Sequence, residues 1–201
     1  MNYKRFSDIT IIAFITSGIV FLVGINSWLS KFYNPLFFGL ISFLCAFIIY
    51  LPKIIFKAEE ENKLKVRTEL QAVISIGLLL NGFGELSLFE LYRAGFQYDK
   101  FIHFTVAILM TIVAVRFFMV WIKTNFKKSL AIGGLVVFAG GIVWEILEFA
   151  SDLFLNTKIW GVDGNYAWPD TIGDISFNIG GIIVGIFVLN FLNRKNNNHA
   201  I

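Results

Sequence analysis

The chain is poor in charge, proline, histidine and cysteine, and these shortages narrow its class. Only 15% of its 201 residues are charged, and it contains three prolines, two histidines and one cysteine. The lone Cys45 excludes an intrachain disulfide and leaves the redox compartment undetermined. The formal net charge is only +3, and the basic residues form no groove with stacking aromatic residues, so nucleic acid is not a predicted partner.

Apolar residues are abundant instead. They make up 57% of the chain and include 23 phenylalanines, more than a soluble domain of this length could cover with so few polar groups. Lipid is therefore the expected solvent, and we predict an all-α polytopic membrane bundle of about six transmembrane helices. As a single integral membrane domain over residues 1–201, it would have spans at about 9–29, 35–56, 70–92, 101–122, 129–154 and 172–192.

The lysines and arginines predict the orientation of these spans. With the N-terminus inside, the cytoplasmic segments hold twelve of them and the outer segments hold four. Cytoplasmic loops carry the excess of Lys and Arg, so both termini are predicted to be cytoplasmic. Arg116 lies within the fourth span, away from the polar face described below, and we expect it to extend to the cytoplasmic headgroups.

Acidic residues fall inside the predicted spans at one depth. In the fifth span, "WEILEFASDLF" places Glu145 about 22 Å along a hydrocarbon core about 30 Å thick. Glu85 of the third span reaches the same height. Asp99 and His103 begin the fourth span near the outer surface, and Asp174 lies near the outer end of the sixth. Polar groups from four spans are therefore expected at one level.

The same residues form narrow stripes at helical spacing. Glu145, Glu148 and Asp152 share about 60° of arc on the fifth span with two glycines. The other spans contribute three stripes: Asp170, Asp174, Asn178, Gly181 and Gly185; Gly77, Asn81 and Glu85; and Asp99 with His103. Glycine lets helices approach closely, so the stripes of the last two spans are predicted to face each other. The first two spans carry no such stripe and are predicted to pack at the periphery.

Ionisable residues inside a membrane usually face a cavity or each other. We therefore predict a polar pocket that opens to the extracytoplasmic side and is walled by spans three to six. The loop "NTKIWGVDGNYAWPD", residues 156–170, would cover it. Asp170 follows Pro169 at the start of the last span, and we interpret it as a helix N-cap.

Three segments, "YDKFIHF", "WEILEF" and "PDTIGDISFNIGGIIVG", resemble the bacterial inner-membrane family typified by YjdF. The chain is more distantly similar to the VanZ-like proteins associated with glycopeptide resistance. These share an Asp-Lys-x-x-His element, here Asp99 to His103, and an Asp-x-x-x-Asn-x-x-Gly element, here Asp174 to Gly181. Where VanZ-like proteins usually have Glu-x-x-Gln, this chain has Glu145 and Glu148. The resemblance implies a small multi-pass protein of a bacterial-type inner cell membrane and no established activity.

Two functional hypotheses follow from the polar residues. The first is a metal-dependent hydrolase or transferase acting on a lipid or envelope substrate. Its predicted ligands are His103, Glu145, Glu148 and Asp174, because one imidazole with several carboxylates suits a divalent ion such as Mn²⁺, Mg²⁺ or Zn²⁺. Asp99 or Asp152 would be the general base. The remaining predicted pocket residues are Asn81, Glu85 and Asn178.

The second hypothesis is a non-enzymatic protein that binds or transports a cation, a proton or a cationic lipid headgroup. A third interpretation is structural, in which the polar groups only join helices. In that case Asp99 would pair with Lys100 or Arg93, and His103 would donate to Glu145. These residues do not decide whether the protein is an enzyme, and they specify no particular ion, substrate or oligomeric state.

Overall fold

A computed structural model describes residues 3–30, 35–86, 88–155 and 167–198. These residues form helices and no strand, which confirms the predicted all-α class. The α-helices are α1 (Tyr3–Ser30), α2 (Pro35–Ile48), α3 (Leu51–Ile55), α4 (Glu61–Glu85), α5 (Tyr98–Val120), α6 (Phe126–Leu155) and α7 (Ala167–Asn198). A 3₁₀ helix, Leu88–Ala94, lies between α4 and α5.

Three helices are long and apolar enough to cross a bilayer. They are Tyr98–Val120, Phe126–Phe154 and Trp168–Lys195, which coincide with the last three predicted spans. A fourth span results if Glu61–Gly84 and Leu88–Ala94, which are bent by 57° relative to each other, are counted together. The described residues thus form a helical membrane bundle with three or four candidate spans. The count of about six stays a prediction.

Helix α5 is the centre of the bundle. It packs against α4, α6 and α7, while α1 and α2 pack against each other and against α4. The first two helices therefore lie at the periphery, as their lack of a polar stripe predicts. Large apolar side chains remain exposed on the outer surfaces of the helices, for example Phe187 on α7 and Leu135 on α6. Such surfaces suit acyl chains as the surrounding solvent.

A short turn makes α5 and α6 antiparallel neighbours. Helix α5 ends at Val120, and Lys123 adopts the left-handed conformation at φ 58°. The side-chain Oδ1 of Asn125 then accepts a hydrogen bond of 2.9 Å from the backbone N–H of Lys128, which caps the start of α6. The Thr124 and Ser129 hydroxyl oxygens lie 2.6 Å apart within the same turn. This turn returns the chain so that the far end of α6 reaches the beginning of α5.

Helices α5 and α7 approach each other closely through glycines. A Cβ atom at Gly181 would collide with the carbonyl oxygen of Phe104, and one at Gly185 would lie 2.9 Å from Cβ of Thr111. The glycines on the α7 stripe therefore face α5, whereas we expected them to face α6. The α6 stripe does face α7, because a Cβ atom at Gly134 would lie 3.4 Å from Ile182. This close packing sets the rotation of α7 and thereby aims its acids at α5.

Candidate functional site

Lys100 lies at the centre of a cluster of acids where α5 and α7 begin. Its residue surface is only 7% exposed. Its Nζ atom lies 2.5 Å from Oδ1 of Asp170 and 2.7 Å from Oδ1 of Asp174, and it also donates to the Asp170 carbonyl oxygen at 3.2 Å. Oδ2 of Asp99 is 3.7 Å away. The ammonium group has three protons to donate, and these contacts offset the cost of burying its charge.

The Lys100 side chain passes over a glycine to reach these acids. A Cβ atom at Gly173 would lie 2.8 Å from Cε of Lys100 and 3.4 Å from its Nζ. Gly173 lies on α7 three residues after Asp170 and one residue before Asp174. A side chain at this position would therefore push the lysine away from the carboxylates. Because glycine has no side chain, Lys100 can lie against α7 and reach both carboxylates.

His103 stands one turn further along α5 and faces the same acids. Its Nε2 atom lies 3.6 Å from Oδ1 of Asp99 and 3.7 Å from Oδ1 of Asp174. The other ring nitrogen, Nδ1, lies 3.2 Å from the amide Nδ2 of Asn178. An amide nitrogen can only donate, so Nδ1 accepts, and a neutral ring in this arrangement carries its proton on Nε2, the atom that faces the carboxylates. The distances from Nε2 are longer than hydrogen bonds.

Asp99, His103 and Asp174 form a possible ligand set for a metal ion. Each offers one ligand atom, and all three atoms lie within 4.8 Å of one another. A divalent ion bonded at about 2.0 to 2.2 Å separates its ligands by roughly 3 to 4.4 Å, so a small inward movement would complete the site. His103 and Asp174 are buried and Asp99 is half-buried. The donor set therefore fits a divalent cation in both chemistry and approximate spacing.

Glu145 adds a buried carboxyl group from α6. The residue is only 4% exposed, and neither of its side-chain oxygens has a hydrogen-bond partner among the described residues. Its Oε1 lies 3.9 Å from Nε2 of His103. The hydroxyl group of Thr171 is a neighbour, but it too lacks a hydrogen bond of acceptable geometry. A buried carboxylate is expensive without a partner, so Glu145 is directed into the cluster with unused acceptor capacity.

The other predicted site residues are arranged differently. Glu148 is half-buried on α6 near the cluster, and it accepts a hydrogen bond of 2.7 Å from Nε1 of Trp144 one turn earlier. Asp152 lies half-buried one turn beyond Glu148, and Asn81 is half-buried on α4. The side chain of Glu85 lies outside the described residues, as do residues 156–166 of the predicted covering loop. The structure thus brings together Asp99, His103, Glu145, Asp174 and Asn178 from the predicted set.

Two residues of the cluster were not among the predicted ligands or bases. Lys100 entered the sequence analysis only as a pairing partner of Asp99, and Asp170 was interpreted as an N-cap. That N-cap prediction is wrong, because α7 begins at Ala167 and the Asp170 carboxylate contacts Lys100. The Asp-Lys-x-x-His spacing contained the signal for Lys100, since residues three apart on a helix share a face.

Arg116 also differs from its expected position. Its Nη1 lies 2.6 Å from Oε1 of Glu69 on α4, so the guanidinium group is paired within the bundle and does not extend alone to the headgroups. Glu69 is in the first half of α4 and Arg116 is in the last turns of α5. This ion pair therefore lies at the opposite end of α5 from Lys100 and His103.

Comparison with known proteins gives the family and little more. No curated protein and no solved structure matches the chain. The family model described as "Predicted membrane protein (DUF2238)" matches residues 10–195, which is most of the sequence. That match agrees with the apolar, membrane-spanning helices described above. The chain is therefore a membrane protein and belongs to the family DUF2238.

Proposed function

We propose that this protein binds a divalent cation such as Mn²⁺, Mg²⁺ or Zn²⁺ between α5, α6 and α7. We further propose that it uses the cation as a hydrolase or transferase acting on an envelope lipid. The observation that supports this proposal is the convergence of Asp99, His103 and Asp174 beside the unpartnered Glu145. One imidazole with carboxylates suits hard or borderline divalent ions, and a bound ion would compensate the crowded acids.

The arrangement supports metal-assisted attack on an ester or phosphoryl group. A cation held by Asp99, His103 and Asp174 would polarise the oxygen of such a group and lower the pKa of a bound water. Glu145, whose oxygens accept no hydrogen bond, is placed either as a fourth ligand or as the group that takes a proton from that water. Ligation through Nε2 would leave the ring proton on Nδ1, so the Asn178 amide would turn its oxygen toward Nδ1 and accept from it, as partners of metal-binding histidines commonly do.

The location of the cluster supports a substrate drawn from a membrane surface. Asp99 lies in the first turn of α5 and Asp170 in the first turn of α7, so the cluster lies where two candidate spans begin. In this proposal that end faces the extracytoplasmic side of a bacterial-type inner membrane, with both termini cytoplasmic. The distribution of lysine and arginine supports this orientation. The likeness to YjdF-type and VanZ-like proteins is part of the same proposal.

Metal analysis of detergent-purified full-length protein tests the cation. We expect about one divalent ion per chain in the wild type, and loss of that ion in His103→Ala and Asp174→Asn. Glu61→Gln is the matched control, because Glu61 is exposed at the start of α4 and its loss should leave the metal content unchanged. Wild-type protein without metal, or a control variant that loses as much metal as His103→Ala, would refute the proposed site.

A second measurement tests the reaction. Purified protein is incubated with extracted bacterial envelope lipids, and the products are analysed by mass spectrometry with added Mn²⁺ or with a chelator. The proposal predicts a hydrolysed or transferred lipid product that requires the metal and disappears in Asp174→Asn. Metal-binding protein that converts no envelope lipid would reject the enzymatic part and keep the binding part.

A second function is favoured by one specific observation, the buried Lys100. Its ammonium group already neutralises part of the charge of Asp170 and Asp174 without any metal. A site compensated in this way could bind a proton or a cationic headgroup in place of a divalent ion. This alternative would be supported if the folded wild-type protein contains no metal but binds a cationic lipid. His103→Ala should then abolish that lipid binding.

A further inference from the structure

Acidic groups outnumber basic groups in the cluster. Four carboxyl groups, those of Asp99, Asp170, Asp174 and Glu145, lie around one ammonium group and one imidazole. Lys100 contacts three of these acids and is the only lysine or arginine among the described residues of the cluster. Its positive charge therefore weakens the attraction that any external cation would feel.

We infer that Lys100 is a built-in competitor that sets the affinity of the site for external cations, because its ammonium group holds carboxylate oxygens that a divalent ion would otherwise bind. The inference rests on the proposed cation site and assigns Lys100 a positioning role. Lys100 would not touch the reacting atoms. Its effect would be exerted through Asp174, which it shares with the proposed metal ion.

Competition arises at one oxygen atom. Oδ1 of Asp174 is 2.7 Å from Nζ of Lys100 and 3.7 Å from Nε2 of His103. A cation ligated by this oxygen and by His103 would be held within about 5 Å of the ammonium group. At this separation the repulsion between the two positive charges is strong even in a partly screened site, because the energy of two charges rises as they approach. A bound cation and a lysine bonded to Asp174 therefore oppose each other directly.

The structure also gives the lysine an alternative position. Gly173 and the buried surroundings confine its side chain, so it has little freedom to move away from α7. Asp170 remains available, because it accepts through both its carboxylate and its backbone carbonyl oxygen. The Asp170 side chain is 38% exposed, whereas that of Asp174 is 3% exposed. When a cation takes Asp174, the ammonium group would shift toward the more exposed Asp170.

The test is a titration of full-length protein in detergent with Mn²⁺, in which the electron paramagnetic resonance signal of free Mn²⁺ reports binding. Lys100→Gln removes the charge and keeps a polar side chain that is one atom shorter. Lys127→Gln, at an exposed lysine near the start of α6, is the matched charge control. Gly173→Ala displaces the lysine without changing any charge, and it serves as the second variant if Lys100→Gln does not fold.

We expect Lys100→Gln to bind Mn²⁺ about tenfold more tightly than wild type or better, since a repelling charge close to the ion is removed. Gly173→Ala should also bind more tightly, and Lys127→Gln should bind like wild type. Binding in Lys100→Gln that equals or falls below wild type would overturn the inference, as would equal tightening in Lys127→Gln.

The wild-type titration separates this inference from the proposed function. If wild type binds no Mn²⁺ but Lys100→Gln does, the lysine is confirmed as the competitor and the native protein is not a Mn²⁺ protein. If wild type binds and Lys100→Gln gains nothing, the cation site stands and the inference fails. If neither protein binds, both proposals fail.

Discussion

Removing Lys100 should destabilise the folded protein through Asp174. The Lys100 side chain is 9% exposed and the Asp174 side chain is 3% exposed, so this ion pair is buried. Lys100→Met keeps the length and apolar volume of the side chain but leaves the Asp174 carboxylate without its closest cation. Breaking one partner of a buried pair costs about 3 to 5 kcal/mol.

The contact with Asp170 should contribute much less to this loss. The Asp170 side chain is 38% exposed, so solvent screens its pairing with Lys100, and this pair adds about 1 kcal/mol or less to the free energy of unfolding. The double variant Lys100→Met with Asp174→Asn removes both buried charges. We expect it to recover at least half of the free energy of unfolding that Lys100→Met loses.

The assay is reversible unfolding by sodium dodecyl sulfate in mixed micelles, followed by circular dichroism with a chelator present so that no metal contributes. Lys127→Met, at an exposed position, is the control and should change stability by less than about 0.5 kcal/mol. A loss below about 1 kcal/mol in Lys100→Met, or no recovery in the double variant, would refute the reasoning that Lys100 compensates a buried charge.

Three further predictions concern contacts around the site. Gly181→Ala should destabilise the protein by about 1 to 3 kcal/mol in the same unfolding assay, because a Cβ atom would meet Phe104, whereas Gly140→Ala has open space and should be neutral or stabilising. Replacing Arg116 and Glu69 by alanine, singly and together, should give a coupling of about 1 kcal/mol or less, since both side chains are partly exposed; a coupling above about 2 kcal/mol would contradict this. Asn178→Ala should weaken Mn²⁺ binding about tenfold by removing the amide oxygen that would accept from Nδ1–H of the metal-bound His103, and unchanged affinity would show that the amide does not orient the ring.

Helical periodicity accounts for much of what could be predicted. Apolar runs predicted the positions of α5, α6 and α7, because a bilayer demands long helices whose backbone groups are paired internally. The same periodicity placed His103, Glu145 and Asp174 at one depth, and the structure brings a carboxylate oxygen of each acid to within 4 Å of Nε2 of His103.

Helix rotation and side-chain reach account for what was not predicted. Both Glu145 and Glu148 lie on the predicted polar stripe, but the packing of α6 turns Glu145 inward and leaves Glu148 with Trp144. That rotation depends on which helices the glycines face, and a single sequence does not reveal it. Lys100 was underestimated for another reason. Its long side chain reaches across to α7, whereas sequence spacing draws attention to its neighbour Asp99.

The most direct test of the cation site is anomalous X-ray scattering from crystals of the protein grown in a lipid phase with Mn²⁺. The proposal predicts an anomalous peak about 2.0 to 2.3 Å from Nε2 of His103 and from a carboxylate oxygen of Asp174, with Asp99 or Glu145 completing the ligands. A map without a peak between α5, α6 and α7, or with Mn²⁺ bound only elsewhere on the protein, would contradict it.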